Sequence, residues 1–319
     1  MRVFLTGPGD AEYPSFYYQC KKAFEALGHE VGFFNYRASK FGRLPVARTL
    51  VSNSLKKEVL KFNPDLLLVI KGEIIPKGII KEISSAGVKT ADWTLDSPFG
   101  DFYSYNRIKN ISEYDFFFVF DPYYLKKLRE ISANSFYLPA AADPEDAHKP
   151  IIPFNERKYP YEISFLGSYE PEREDLMEKL GDFNVQVFGH NWKNKRGLVK
   201  NLKREYLSGV SAAKLFNSSK INLNLQALHG KESLNLRTFE LPATKSFQLV
   251  DYKSELPNLF KINKEIVCYS DLDDLKEKLR FYLEQPEKRD RISEAGYQRV
   301  LEEHKVVDRI KTMLKIMNL

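Results

Sequence analysis

Short apolar runs alternate along the chain with stretches whose apolar positions recur at helical spacing. In the first half the runs predict strands at Arg2–Thr6, His29–Phe34, Asp65–Ile70, Lys89–Thr94, Asp115–Phe120 and Asn134–Pro139. Most are apolar throughout, the pattern of a parallel strand buried on both faces. Between the first two, Phe16, Cys20, Phe24 and Leu27 form one helical stripe that Gly28 closes. Asn53 or Ser54 is the expected cap of the next helix, with Leu55, Val59 and Leu60 inward. This β-α-β-α rhythm predicts a doubly wound parallel sheet. The proline-rich stretch 139–161 interrupts it and is the expected linker. The rhythm then restarts, with strands expected at Glu162–Leu166, Val185–Phe188, Ile221–Gln226, Ser246–Asp251 and Glu265–Tyr269. From Ser270, the expected cap of the first terminal helix, the chain reads as helical. The expectation is α/β: one Rossmann-like domain over 1–150 and a second from 151, facing across a cleft that is the default ligand site.

Composition narrows the classes. With 43% hydrophobic and 13% aromatic residues, the chain of 319 has ample material for two cores and is not disordered. Two cysteines exclude a disulfide scaffold and a four-thiol zinc site, which points to a reducing, cytoplasmic setting. The MRVFLTGPGD start does not read as a leader, and no run approaches a membrane span. A net charge of +6 suits anionic small molecules or peripheral contact with an anionic membrane, not a dedicated nucleic-acid binder. The densest basic segment, Lys193–Arg204, reads as a solvated face or an anion-attracting one.

Four motifs carry candidate chemistry. In KESLNLRTFELPATKS, Glu232 and Glu240 stand eight apart beside a strand end, with Glu240 expected at the opening of a helix. A carboxylate there can accept both hydrogen bonds of a ribose diol, and nearby amides can hold a phosphate. The competing reading is a glutamate that merely complements the helix dipole. In FLGSYEPER, the strand end Gly167-Ser168 and the helix opened by Pro171 present amides to an anion, with Arg173 supplying a guanidinium. Gly7 and Gly9 after the first strand would let a substrate approach the backbone. Asp92 and Asp96 in DWTLDSPF would lie on the acceptor side of the cleft, where Asp96 would contact acceptor hydroxyls or take a proton; the competing reading is an Asp-Ser-Pro turn. Gly189, His190 and His229 follow strands and would face the cleft. Asp271 and Asp273 read as helix-start acids, and no metal site is expected.

The stretch from SLNLRTFELPATKSFQLVDY to VVDR, with FLGSYEPER, FGHNW, KINLNLQ, PDLLLVIKG, DWTLDSPF and LPAAADPE, resembles CgeB-like glycosyltransferases, the spore-maturation type of the group 1 sugar transferases. The resemblance implies a GT-B fold of two Rossmann-like domains, a nucleotide-sugar domain at 151–300, and a terminal segment at 301–319 crossing back onto an acceptor domain at 1–150. It implies transfer from a UDP- or TDP-sugar to a glycan, protein or lipid-linked acceptor, without metal or other cofactor and with retention. Glu240 would bind the donor ribose, Glu232 would lie near the donor sugar, and Arg173 and Arg237 would meet the diphosphate. The sequence departs from the group at Lys245, where a glycine is usual and where the lysine would crowd or contact the phosphates. It also has no evident counterpart of the usual N-terminal catalytic histidine. Those departures motivate the alternative of an inactive GT-B-like binding or structural protein; an epimerase on the same fold is a third reading. No nucleic-acid partner is expected.

Overall fold

The computed structural model describes residues 1–319 except 10–11, 38–44, 74, 100–107, 193–198, 200 and 227–229, with backbone alone at 45–49. It divides into two units: Met1–Ala140 with Leu228–Ser233 and Val306–Leu319, and Ala141–Ala227 with Leu234–Lys305.

The first unit is built on β1 (Arg2–Gly7), β2 (Glu30–Asn35), β3 (Leu66–Ile70), β4 (Lys89–Thr94), β5 (Phe116–Val119) and β6 (Ser135–Tyr137). All pairings are parallel, in the order β2-β1-β3-β4-β5-β6. The direction of winding reverses between β1 and β3, the switch point at whose carboxyl ends such sheets take ligands. Helices α1 (Phe16–Ala26), α2 (Pro45–Phe62), α3 (Ile79–Ser85) and α4 (Leu125–Ile131) connect the strands. Leu67, Val69, Leu55, Val59, Ile80, Ile83 and Phe117 form a core between sheet and helices. Helix α2 starts at Pro45, well before Asn53, so neither Asn53 nor Ser54 caps it; a proline at the first helical position is the start signal that sequence reasoning passed over.

The second sheet comprises β7 (Tyr161–Leu166), β8 (Val185–Phe188), β9 (Asn201–Lys203), β10 (Ser219–Asn224), β11 (Gln248–Asp251) and β12 (Val267–Tyr269). It is again wholly parallel, in the order β12-β11-β10-β7-β8-β9, with its switch point between β7 and β10. β9 was not expected: it is three half-buried residues at a sheet edge, too short and too polar for an apolar-run signal. Around the sheet lie α5 (Pro171–Lys179), α6 (Gly209–Asn217), α7 (Leu236–Ala243), α8 (Leu256–Leu259), α9 (Leu272–Leu283) and α10 (Pro286–Glu303). Asp271, not Ser270, caps α9, accepting the Asp273 and Asp274 amides at 3.0 Å each. Ile163, Leu223, Leu249, Val267, Leu275 and Leu279 make the second core.

The last helix, α11 (Val306–Met317), is part of the first unit and packs on α1. Its Val306, Ile310, Met313 and Met317 are buried. Arg309 Nε donates to the carbonyls of Pro139 and Ala140, both at 3.2 Å. No helix among the described residues is long and apolar enough to cross a membrane.

Candidate functional site

In the second unit, Asn222 and Asn224 of β10 and Gln226 just beyond its end recur at every second position, all buried. Buried amides must find partners: Asn222 bonds Ser164 and the carbonyls of Phe216 and Phe247, while Asn224 and Gln226 fix the entry to α7. Asn235 caps the helix by accepting the Thr238 amide at 3.0 Å, and its own amide side chain donates to Asn224 Oδ1 at 3.0 Å. Gln226 accepts the Asn235 backbone N–H at 2.6 Å and donates to Thr238 Oγ1 at 2.9 Å. Pro242 inside α7 has no N–H for the Thr238 carbonyl, and Gln248 Nε2 fills that gap at 2.9 Å. The helix is therefore rigidly seated, and with it Arg237 and Glu240.

Glu240 is the fifth residue of α7, one turn further in than its expected place at the helix opening. Its Oε2 meets Arg237 Nη1 at 2.6 Å and its Oε1 meets His148 Nε2 at 3.4 Å. Burial alone would raise its pKa. The Arg237 guanidinium and His148 overrule burial and hold the carboxyl down at about 2, so it stays ionised.

At the switch point, β7 runs into Gly167 and Ser168. Gly189, after β8, has φ 143° and packs so closely that a Cβ would sit 1.9 Å from the Gly167 carbonyl oxygen. Only glycine fits there. Trp192 Nε1 donates to the same carbonyl at 2.9 Å. His190 stacks on exposed Tyr206, with ring centroids 4.6 Å apart and planes at 14°. Arg173 folds back onto its own loop, donating to the Ser168 carbonyl at 2.9 Å and pairing with Glu170 at 3.4 Å. Asp251, at the end of β11, accepts the Gln226 amide at 2.6 Å, and burial pushes its carboxyl up to about 6.

Lys245 follows α7 at φ 54°. Its N–H bonds the Pro242 carbonyl at 2.9 Å, and that of Ser246 bonds Leu241 at 3.1 Å. This is a Schellman stop, whose left-handed residue is usually glycine. The Lys245 ammonium pairs with Glu294 at 2.9 Å and lies 4.5 Å from the Tyr297 ring centroid.

In the first unit the candidate residues gather at the carboxyl ends of β1, β3 and β4. A Cβ on Gly7 would strike the Tyr17 ring at 1.9 Å, and Gly9 abuts the other edge of that ring. Asp92 is fully buried within β4, while Asp96 pairs with Lys71 at 2.7 Å. Sequence reasoning missed their neighbour Glu73, which is buried, accepts Tyr36 Oη–H at 2.5 Å and pairs with Arg37. Burial, then the Glu73 charge, raise the Tyr17 and Tyr36 phenols. Asp121 was also missed. It is fully buried after β5, and its Oδ2 accepts the Lys231 amide at 2.7 Å, the Glu232 amide at 3.3 Å and the Ser233 hydroxyl at 3.0 Å. Glu232 thus stands on a segment anchored to the first unit. His229, and residues 193–198 and 200 of the basic segment, lie outside the described residues. Among the described residues, no three His, Cys, Asp or Glu side chains are grouped to hold a metal ion.

Comparison with known proteins bears on what this arrangement is. A family model described as "Glycosyl transferase-like" matches residues 173–315. The spore protein CgeB of Bacillus subtilis (strain 168) is 24% identical over 258 residues, 74% of this chain and 77% of that protein. Sucrose-phosphate synthase from Thermosynechococcus elongatus superposes with a TM-score of 0.71 at 11% identity, covering 99% of this chain and 98% of its own. Anabaena HepE, solved in complex with UDP-glucose, gives 0.71 at 9% identity over 99% of each chain. At such identities these structures speak for the fold alone, and the fold is GT-B. The family model and the curated relative point the same way: the chain is similar to glycosyl transferase-like proteins over residues 173–315 and to the spore protein CgeB over most of its length.

Proposed function

We propose that this protein transfers a sugar from a nucleoside-diphosphate sugar to a hydroxyl acceptor without a metal ion and with retention. The carrying observation is Glu240: a carboxylate held ionised by Arg237 and His148, on a helix seated beside the β7/β10 switch point. That is the chemistry of a ribose-diol acceptor at the place where doubly wound sheets take nucleotides. The Gly167 N–H is taken by the Phe188 carbonyl at 3.0 Å, so the Ser168 amide beside it, with Arg173 and Arg237, supplies positive character for the diphosphate as the bond from its oxygen to the anomeric carbon breaks. The acceptor oxygen forms the new bond to that carbon, and its proton passes to the departing phosphate. We assign Glu232 and Asp96 to the reacting sugar and acceptor, and Gly7, Gly9 and Asp92 to the acceptor side. The binding of UDP-glucose by HepE, a protein of the same fold, supports a UDP-linked donor.

Thermal unfolding with UDP, UDP-glucose and TDP tests this. A ligand at a hundred times its Kd should add about 2.7 kcal/mol of stability; no shift with any of them would refute the donor reading. A second reading, a binding protein without turnover, draws on Asp96 and Arg173 both being tied in ion pairs. Donor binding with no product across an acceptor panel would favour it.

A further inference from the structure

The stretch that follows the first unit is not a loose connector. Ala142 N–H bonds the His304 carbonyl at 3.1 Å. Asp143 then organises a tight loop, its Oδ1 accepting the Glu145 amide at 3.2 Å and the Asp146 amide at 3.1 Å. The loop returns on itself through His148 N–H to the Asp143 carbonyl, at 2.7 Å. The Asp143 amide in turn donates into His148 Nδ1 at 3.1 Å. A ring nitrogen that accepts carries no proton, so the proton of the neutral imidazole lies on Nε2. That nitrogen faces Glu240 Oε1 at 3.4 Å, and the ring is 10% exposed. Arg237 holds the other carboxylate oxygen.

From this juxtaposition we infer that His148 is a positioning residue for donor recognition: its Nε2–H sets the orientation of the Glu240 carboxylate that receives the ribose. The inference rests on the ribose role proposed for Glu240. Donation needs only the neutral ring, whose tautomer the Asp143 amide dictates. Arg237 alone would leave the carboxylate free to rotate about its remaining torsion; a second donor on the opposite oxygen removes that freedom before the ligand arrives, which lowers the ordering cost of binding.

The test uses the full chain and compares UDP with 2′,3′-dideoxy-UDP by calorimetry, since their affinity ratio reports the diol contact alone. In the wild type a hydrogen bond to a charged group should make that ratio about tenfold or more. His148→Phe keeps a buried ring and removes the donor; the ratio should fall to about twofold or less. His148→Gln restores an amide N–H at the Nε2 position and should recover most of the ratio, although it packs worse than Phe. If His148→Phe keeps the full ratio while Glu240→Ala abolishes it, the positioning role is overturned and the ribose role stands. If Glu240→Ala leaves the ratio intact, the ribose role itself fails and takes the inference with it. Should Phe preserve the ratio and Gln lose it, the ring serves packing only, and the inference is again overturned.

Discussion

Two carboxylates of the second unit are displaced in opposite directions, and the signs separate them in pH. Glu240 is held near 2, below its ordinary 4.5. Its contribution is present above pH 4.5 and is lost as pH falls toward 2. A shift of that size is worth about 3 kcal/mol. Asp251 is raised from 3.8 to about 6. The folded state prefers its neutral form, so stability falls as pH rises from about 4 to 6, by a similar amount. Asp251→Asn, whose side-chain oxygen still accepts from Gln226, should therefore flatten that decline and leave the variant more stable than wild type at pH 7. Urea unfolding across pH 3–8 reads this directly; an unchanged profile would contradict the assignment. Lys245 gives a simpler case. A left-handed non-glycine residue costs about 1–2 kcal/mol, and its half-exposed pair with Glu294 returns less than about 1. Lys245→Gly should thus raise stability by up to about 1 kcal/mol, seen as a higher urea midpoint with an unchanged slope.

At the scale of elements, most strands were legible because parallel strands covered on both faces are apolar throughout, as Leu66–Ile70 is. β10 lies two residues earlier than expected at each end, and its meaning was hidden: Asn224 and Gln226, alternating with leucine, are what seat the next helix. The pairing of His148 with Glu240, and of Asp121 with Ser233, joins residues far apart in the chain, and no local pattern announces such contacts. Glu73 escaped notice because it follows a strand without a motif around it. Asp121 yields a prediction for the Glu232 segment. Asp121→Ala leaves two amides and a hydroxyl without their acceptor, a loss of about 1–3 kcal/mol each if they stay buried. Amide exchange at Lys231–Ser233 should accelerate by an order of magnitude or more. Exchange unchanged from wild type would show that other contacts hold the segment.

For the molecule as a whole, the two sheets have separate cores. Calorimetric unfolding of such a chain departs from a single two-state transition. Because the proposed nucleotide contacts Ser168, Arg173 and Glu240 all belong to the second unit, UDP should raise the transition assigned to that unit more than the other. A uniform rise of both would argue against that placement.

The way the backbone is shared out has a practical corollary. The boundary between the units is crossed after Ala140, Ala227, Ser233 and Lys305, so neither unit is an uninterrupted stretch of polypeptide. A fragment stopped near residue 150 would lack α11, baring the α1 surface on which that helix packs, and would leave the Asp121 carboxylate with no hydroxyl from Ser233. A fragment begun there would carry α11 as an amphipathic tail with nothing to shield it. Anyone wishing to isolate either half would do better to graft the closing helix back through a short tether, as in a circular permutant, than to cut once at the proline-rich stretch.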